Sequence, residues 1–179
     1  SIGRIQEQKG QLQTLEFLNN FKKIENDFKC IFIGGPSGKY GEEYLQELKQ
    51  TVKDFNLEKN IEFLDNLPQT KIIELLKKAK LLIHTSEFET FGLVAIEANS
   101  MGVPVLSTNK GSLVEIIENN LNGYLSEDLV DGNVNNFVKN LLNDNKKFKE
   151  ISLDCLRISK DYDWKVTTSN LNKIYEGLI

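Results

Sequence analysis

Two glutamates, Glu89 and Glu97, bracket seven residues within EFETFGLVAIEANSMGVPV (87–105), a pattern with chemical potential. The segment predicts a loop that ends at Glu89 and a helix that starts at Phe91. The amides of Phe91, Gly92 and Leu93 would then be first-turn donors at the positive end of the helix dipole. Such a terminus suits an anion, whether a diphosphate or a polar sugar, and Gly92 allows a ligand close to the backbone. Glu97 falls about 9 Å of rise beyond Phe91. Its apolar neighbours Val94, Ala95, Ile96 and Ala98 place it at the edge of the core, where a carboxylate needs hydrogen-bond partners. Ribose hydroxyls would supply two. Taken singly, Glu89 as a simple helix cap and Glu97 paired with a lysine are equally good readings; the whole string favours a site.

Holding these residues in place requires a strand before Glu89 and a helix after it. Apolar runs that read as strands are KCIFIGG (29–35), NIEFLDN (60–66), KLLIHTS (80–86), VPVLST (103–108) and GYLS (123–126). Amphipathic stretches over 7–26, 41–56, 69–79, 91–101 and 112–120 separate them, as Tyr44, Leu45, Leu48, Val52 and Phe55 illustrate. The alternation predicts right-handed βαβ units and an α/β fold. Its core is a Rossmann-like, doubly wound parallel sheet with helices on both faces. Past the last strand the pattern is wholly helical (133–143, 146–160, 163–178), a C-terminal appendage. There Phe137, Phe148, Tyr162, Trp164 and Tyr175 fall at the spacings of helices packed on a core, and Lys146, Lys147 and Lys149 read as a solvated patch. Ligands of an open parallel sheet bind beyond the carboxyl ends of its strands. That directs attention to Gly34 and Gly35, 66–71, 85–92 and 108–112.

The 179 residues suffice for one domain, 1–179, with a full core. A net charge of −4 argues against nucleic acid as a partner, and no apolar run approaches the about 18 residues of a membrane span. Cys30 reads as a small buried hydrophobe, and a single histidine with two cysteines supplies too few soft ligands for zinc, so no metal site is expected. Cysteine usage fits a reducing, cytoplasmic setting, with contact at the inner face of a membrane the lesser expectation. The start SIGRIQEQKG, without methionine or signal peptide, reads as a segment of a longer protein.

Glu89 and Glu97 form an E-x7-E pair that runs into EAxxxGxPV as Glu97, Ala98, Gly102, Pro104 and Val105. This resembles the C-terminal domain of the retaining, two-Rossmann-domain glycosyltransferases of family 4 (group 1, GT-B fold). The resemblance extends from GRIQEQKG, similar to that family's GR…KG opening signature, to the helix containing Trp164. It implies that Gly3, Arg4 and Lys9 of the opening signature meet the nucleotide diphosphate. It also implies that Glu89 contacts the donor sugar, that the backbone of Phe91, Gly92 and Leu93 faces sugar and phosphates, and that Glu97 binds ribose. Leu67 would border the nucleobase. Read from the residues themselves, Gly34 and Gly35 line the diphosphate as a close-approach turn. The chemically active set is then Arg4, Lys9 and Glu89, which would stabilise charge on the departing diphosphate without a metal or other cofactor. On their own, Arg4 and Lys9 also read as an exposed pair at a helix start.

The implied substrate is a UDP- or GDP-linked sugar. The implied partners are an N-terminal domain of the same protein and an acceptor glycan or lipid-linked sugar; without that domain little turnover is expected. A non-catalytic sugar-nucleotide-binding module and a GT-B sugar-nucleotide epimerase are the alternatives. His84-Thr85-Ser86 stands where many family members have proline-serine, and Lys110-Gly111 where they have Gly-Gly, which leaves the sugar contacts open. Lys110 reads as solvated and His84 as structural more than catalytic. GGPSGKY (34–40) mimics a P-loop, but Tyr40 replaces the Ser/Thr that holds magnesium.

Overall fold

The structure is a computed structural model and describes residues 1–177. The chain opens with one 3-10 turn, Glu7–Lys9, followed by α1 (Gln11–Phe21). The single helix expected over 7–26 is thus interrupted at Gly10, whose φ of +66° cannot continue a helix. A Cβ at Gly10 would lie 2.2 Å from the Thr85 carbonyl oxygen, so glycine is required for this approach. Then follow β1 (Cys30–Ile33), α2 (Gly41–Asp54), β2 (Ile61–Leu64) and α3 (Gln69–Leu76). Next come β3 (Leu82–His84), α4 (Leu93–Ser100), β4 (Val105–Thr108), α5 (Leu113–Ile116) and β5 (Gly123–Ser126). The appendage is α6 (Gly132–Asn143), α7 (Asn145–Ile158) and α8 (Trp164–Glu176). Asp131, Asp144 and Asp163 each cap one of these three by accepting first-turn amides. Of the expected helix over 163–178, residue 178 lies outside the described residues.

Every strand pairing is parallel. β1 pairs with β2, and β3–β4–β5 form a second ladder. Residues 1–5 run beside β1: Gly3 donates to the Ile33 carbonyl and Ile5 to the Gly35 carbonyl, each at 2.9 Å. Where β1 and β3 are not bridged, an apolar groove of about 480 Å³ remains, lined by Phe21, Cys30, Ile31, Leu82 and Ile83 among others. Cys30 is therefore half-buried along a groove rather than sealed in the core.

Helices cover both faces, and the period-two alternation of strand side chains makes this visible. Ile83 and Leu106 point to a core shared with α1, α2, α6 and α7, where Leu15, Phe17, Leu48, Val134 and Ile151 are buried. Leu82 and Val105 point the other way, to Leu76 of α3, Ala95 and Ala98 of α4, and Leu113 of α5.

A buried amide network fastens the second ladder. The Asn122 Nδ2 donates to Asn99 Oδ1 and to the Ile116 carbonyl, each at 2.8 Å, while the Glu118 amide donates to Asn122 Oδ1 at 2.7 Å. Asn99 in turn donates to the Val103 carbonyl at 3.0 Å. The Asn122 side chain competes with helical hydrogen bonds and ends α5 after one turn, where the sequence pattern predicts a helix over 112–120. In the appendage Phe137 is buried and Phe148 packs under the Lys80 ammonium, but Trp164 and Tyr175 are exposed. Their expected core packing fails because α8 buries none of its side chains. No helix among the described residues is long and apolar enough to cross a membrane.

Candidate functional site

The site lies beyond the carboxyl ends of β3 and β4, where the loop 85–92 meets the turn carrying Lys9. Backbone contacts stitch the two together. The Glu87 amide donates to the Gln8 carbonyl at 2.9 Å, and the Thr85 hydroxyl donates to the Gly10 carbonyl at 2.7 Å. With its one hydrogen so used, Thr85 accepts from the Thr14 hydroxyl at 3.0 Å. The loop is held from the other side by α5: the Ser112 amide donates to the Glu89 carbonyl at 3.1 Å. Gly111, at φ +62°, passes so close that a Cβ there would lie 2.4 Å from the same oxygen.

At the centre is the Glu89 carboxylate. Lys9 Nζ lies 3.2 Å and His84 Nε2 3.0 Å from its Oε2, while the Gly92 amide donates to Oε1 at 3.1 Å. The Lys9 and Glu89 side chains are only 23% and 14% exposed, so this is not a freely solvated surface pair. Burial alone would raise the Glu89 pKa, but the Gly92 amide, Lys9 and His84 outweigh it and hold the carboxyl below its ordinary value. Burial likewise dominates at His84 and lowers its pKa, so the imidazole is neutral at physiological pH despite the carboxylate beside it.

Lys9 and Glu89, 80 positions apart, are thus brought into direct contact. Gly3 and Gly34 touch through their backbones: a Cβ on Gly34 would stand 2.1 Å from the Gly3 carbonyl oxygen. Gly35 donates its amide to Asn66 Oδ1 at 3.1 Å, which ties it to the loop carrying the half-buried Leu67. Arg4 projects an exposed side chain, and its carbonyl accepts from the Gln11 side-chain amide at 2.8 Å. Lys110 is a surface residue whose Nζ is 3.9 Å from Glu87.

Three expectations change. The helix predicted from Phe91 starts at Leu93, because Gly92 is left-handed at φ +80° and its amide is taken by Glu89. The first-turn donors are accordingly Leu93 and Val94, the Ala95 amide already bonding the Gly92 carbonyl at 2.9 Å. Gly92 itself is required by its fold neighbours, since a Cβ would meet Leu113 and Ile116 side-chain carbons at 2.8 Å. Glu97 is neither at the edge of the core nor paired with a lysine: it is exposed on α4 and makes no ion pair among the described residues. Its apolar neighbours turn inward on the far side of the helix, where Ala95, Ala98 and Asn99 are buried. His84, read from sequence as structural more than catalytic, is buried against Glu89, a contact the sequence did not reveal, and the buried Thr108 and Ser112 hydroxyls nearby have no hydrogen-bond partner among the described residues. Only their places at strand ends and loop starts hinted at this.

The arrangement offers one sheltered anion flanked by a cation and a neutral donor, next to a helix N-terminus whose first two amides have no acceptor within the helix. Such a group can bind hydroxyls through the carboxylate and a phosphate through the ammonium and the amides.

Known proteins resemble this chain in sequence and in fold. The sequence model for glycosyl transferases group 1 matches residues 1–152. An α-1,3/1,6-mannosyltransferase, ALG2, of Dictyostelium discoideum is 31% identical over 159 residues, 87% of this chain and 38% of that protein. A D-inositol 3-phosphate glycosyltransferase of Acidothermus cellulolyticus is 30% identical over 135 residues, 73% of this chain and 29% of that protein. The chain therefore spans well under half the length of these curated relatives. Among solved structures, Anabaena HepE in complex with UDP superposes with a TM-score of 0.82 at 26% identity, covering 99% of this chain and 47% of that one. The C-terminal domain of LpcC, a group 1 glycosyl transferase of Francisella tularensis, gives 0.79 at 26% identity and covers 91% and 85%. Sequence and fold agree: the chain belongs to the glycosyl transferases group 1 family and has the Rossmann-like fold of GT-B enzymes.

Proposed function

We propose that this chain is the donor-holding domain of a retaining glycosyltransferase and binds a nucleoside diphosphate sugar for transfer to an acceptor hydroxyl. The observation that carries the reading is the convergence of Lys9, Glu89, the Gly92 amide and the α4 N-terminus at the carboxyl ends of the strands. Solved structures of HepE with UDP and with UDP-glucose support a UDP-linked donor; a GDP-linked donor fits the same chemistry.

In this reading Lys9 and Arg4 take the diphosphate, joined by the Leu93 and Val94 amides. As the sugar–phosphate bond breaks through an oxocarbenium-like state, these fixed positive groups stabilise the charge gathered by the leaving nucleoside diphosphate. Glu89 accepts hydrogen bonds from sugar hydroxyls. Glu97, exposed on α4, accepts from ribose. The backbones of Gly3, Gly35, Phe91 and Gly92 wall the diphosphate and sugar, and Leu67 borders the nucleobase. The acceptor, a glycan or lipid-linked sugar, meets this donor in a longer protein that includes an N-terminal domain.

Calorimetric titration with UDP-, GDP- and ADP-sugars tests the reading. Saturable binding of at least one is expected; a folded sample that binds none refutes it. Glu97→Ala should weaken binding of the nucleotide roughly tenfold, the worth of hydrogen bonds to a charged group. An unchanged affinity removes Glu97 from the ribose site.

A further inference from the structure

We infer that His84 is a positioning residue for the donor sugar: it keeps the Glu89 carboxylate aimed after a donor has drawn Lys9 away. The inference rests on the donor-site reading above and deepens it. Three donors converge on Glu89, with Lys9 and His84 sharing Oε2 and the Gly92 amide alone on Oε1. Lys9 cannot serve a diphosphate and remain fully committed to Glu89. Its ammonium sits on a flexible four-carbon stem and is the one donor of the three free to leave.

What stays behind decides how firmly Glu89 is held. The Gly92 amide alone fixes one oxygen and leaves the carboxylate plane free to turn. A second fixed donor on the other oxygen removes that freedom. His84 meets the requirement because it closes β3, pairs in register with Ser107 of β4, and is 5% exposed. To donate to a carboxylate the neutral ring must carry its hydrogen on Nε2, a tautomer assigned by its partner. Because burial also keeps the ring uncharged, His84 orients Glu89 without neutralising it. The carboxylate keeps its full charge for sugar hydroxyls while the positive charge of Lys9 goes to the diphosphate.

Three variants separate orientation from mere packing. His84→Phe keeps a ring and removes the donor, His84→Gln supplies an uncharged amide donor, and His84→Asn carries the same amide one carbon short. Each is titrated with UDP and UDP-glucose, and with GDP and GDP-mannose, alongside the unaltered chain. His84→Phe should weaken the sugar nucleotide about tenfold and leave the free nucleoside diphosphate unchanged, and His84→Gln should recover most of the loss. If the phenylalanine variant does not fold, the asparagine variant takes its place against glutamine. Equal losses for the nucleotide and its sugar conjugate, no loss for either, or no recovery with glutamine would overturn the positioning role. An unaltered, folded chain that binds none of the four ligands and no ADP-sugar instead refutes the donor reading itself, and this inference with it.

Discussion

A carboxylate that receives three donors in a sheltered pocket is held in its charged form, and a histidine buried beside it is held in its neutral form. Both facts give stability a slope with pH. The Glu89 pKa in the folded chain lies below its ordinary 4.5. Its contribution is therefore complete above that unfolded value and is lost as pH falls through the folded one. The His84 pKa lies below its ordinary 6.5. As pH falls the unfolded chain takes up that proton first, so this contribution is complete above 6.5 and declines below it. The expected result is a urea midpoint that is flat above about pH 7 and falls steadily toward about pH 4. His84→Gln should remove the fall that begins near 6.5 and keep the one below 4.5. An unaltered profile in that variant would show that other groups set the slope. Much at this scale was hidden in the sequence. The types of Lys9, Glu89 and Glu97 were legible through a motif, but the His84–Glu89 contact was not, because a strand end and a loop five residues later have no fixed relation until α5 pins the loop. Glu97 misled for a related reason: four apolar neighbours suggest burial, while helical phase turns the carboxylate outward.

At the scale of elements, the strands were easy to read because each is a short apolar run flanked by polar residues, and the observed strands fall within the predicted ones. The helix limits were harder. They are set by single residues whose demands come from tertiary neighbours: Gly10 against Thr85, Gly92 against Leu113 and Ile116, and Asn122 against Glu118. Gly111 is the sharpest case, since it joins positive φ to a backbone contact with Glu89. Gly111→Ala should cost about 1–3 kcal/mol from the backbone alone and should also displace Glu89. Gly132→Ala is the matched control. It opens α6, and a Cβ there meets nothing within 4 Å, so its stability should be unchanged or slightly raised. Chemical denaturation of the two variants checks both, and equal effects would mean that the contact at Gly111 is relieved by movement of the loop.

At the scale of the molecule, two hydrophobic cores lie on opposite faces of β3 and β4, and one helix after another is fastened to those two strands. That much follows from alternating strand residues and was legible as a doubly wound fold. The split of the strands into two parallel ladders was not, because a run of apolar residues does not declare its neighbours. The buried amide pair of Asn99 and Asn122 joins β4, β5, α4 and α5 at a point that no periodicity reveals. It has a consequence for how the protein ages. Asn122 is followed by Gly123, the pairing most prone to deamidation, in which the glycine nitrogen attacks the side-chain carbonyl, closes a succinimide and expels ammonia. In the folded chain both side-chain atoms of Asn122 are committed and the residue is fully buried, so ring closure should wait for local unfolding. Peptide mapping after prolonged incubation should find Asn122 intact in the native protein and converted under mild denaturant. Early conversion in the native state would mean that this part of the sheet opens far more often than its burial implies. The amide that ends α5 would then double as a clock, recording how much of its life the chain has spent unfolded.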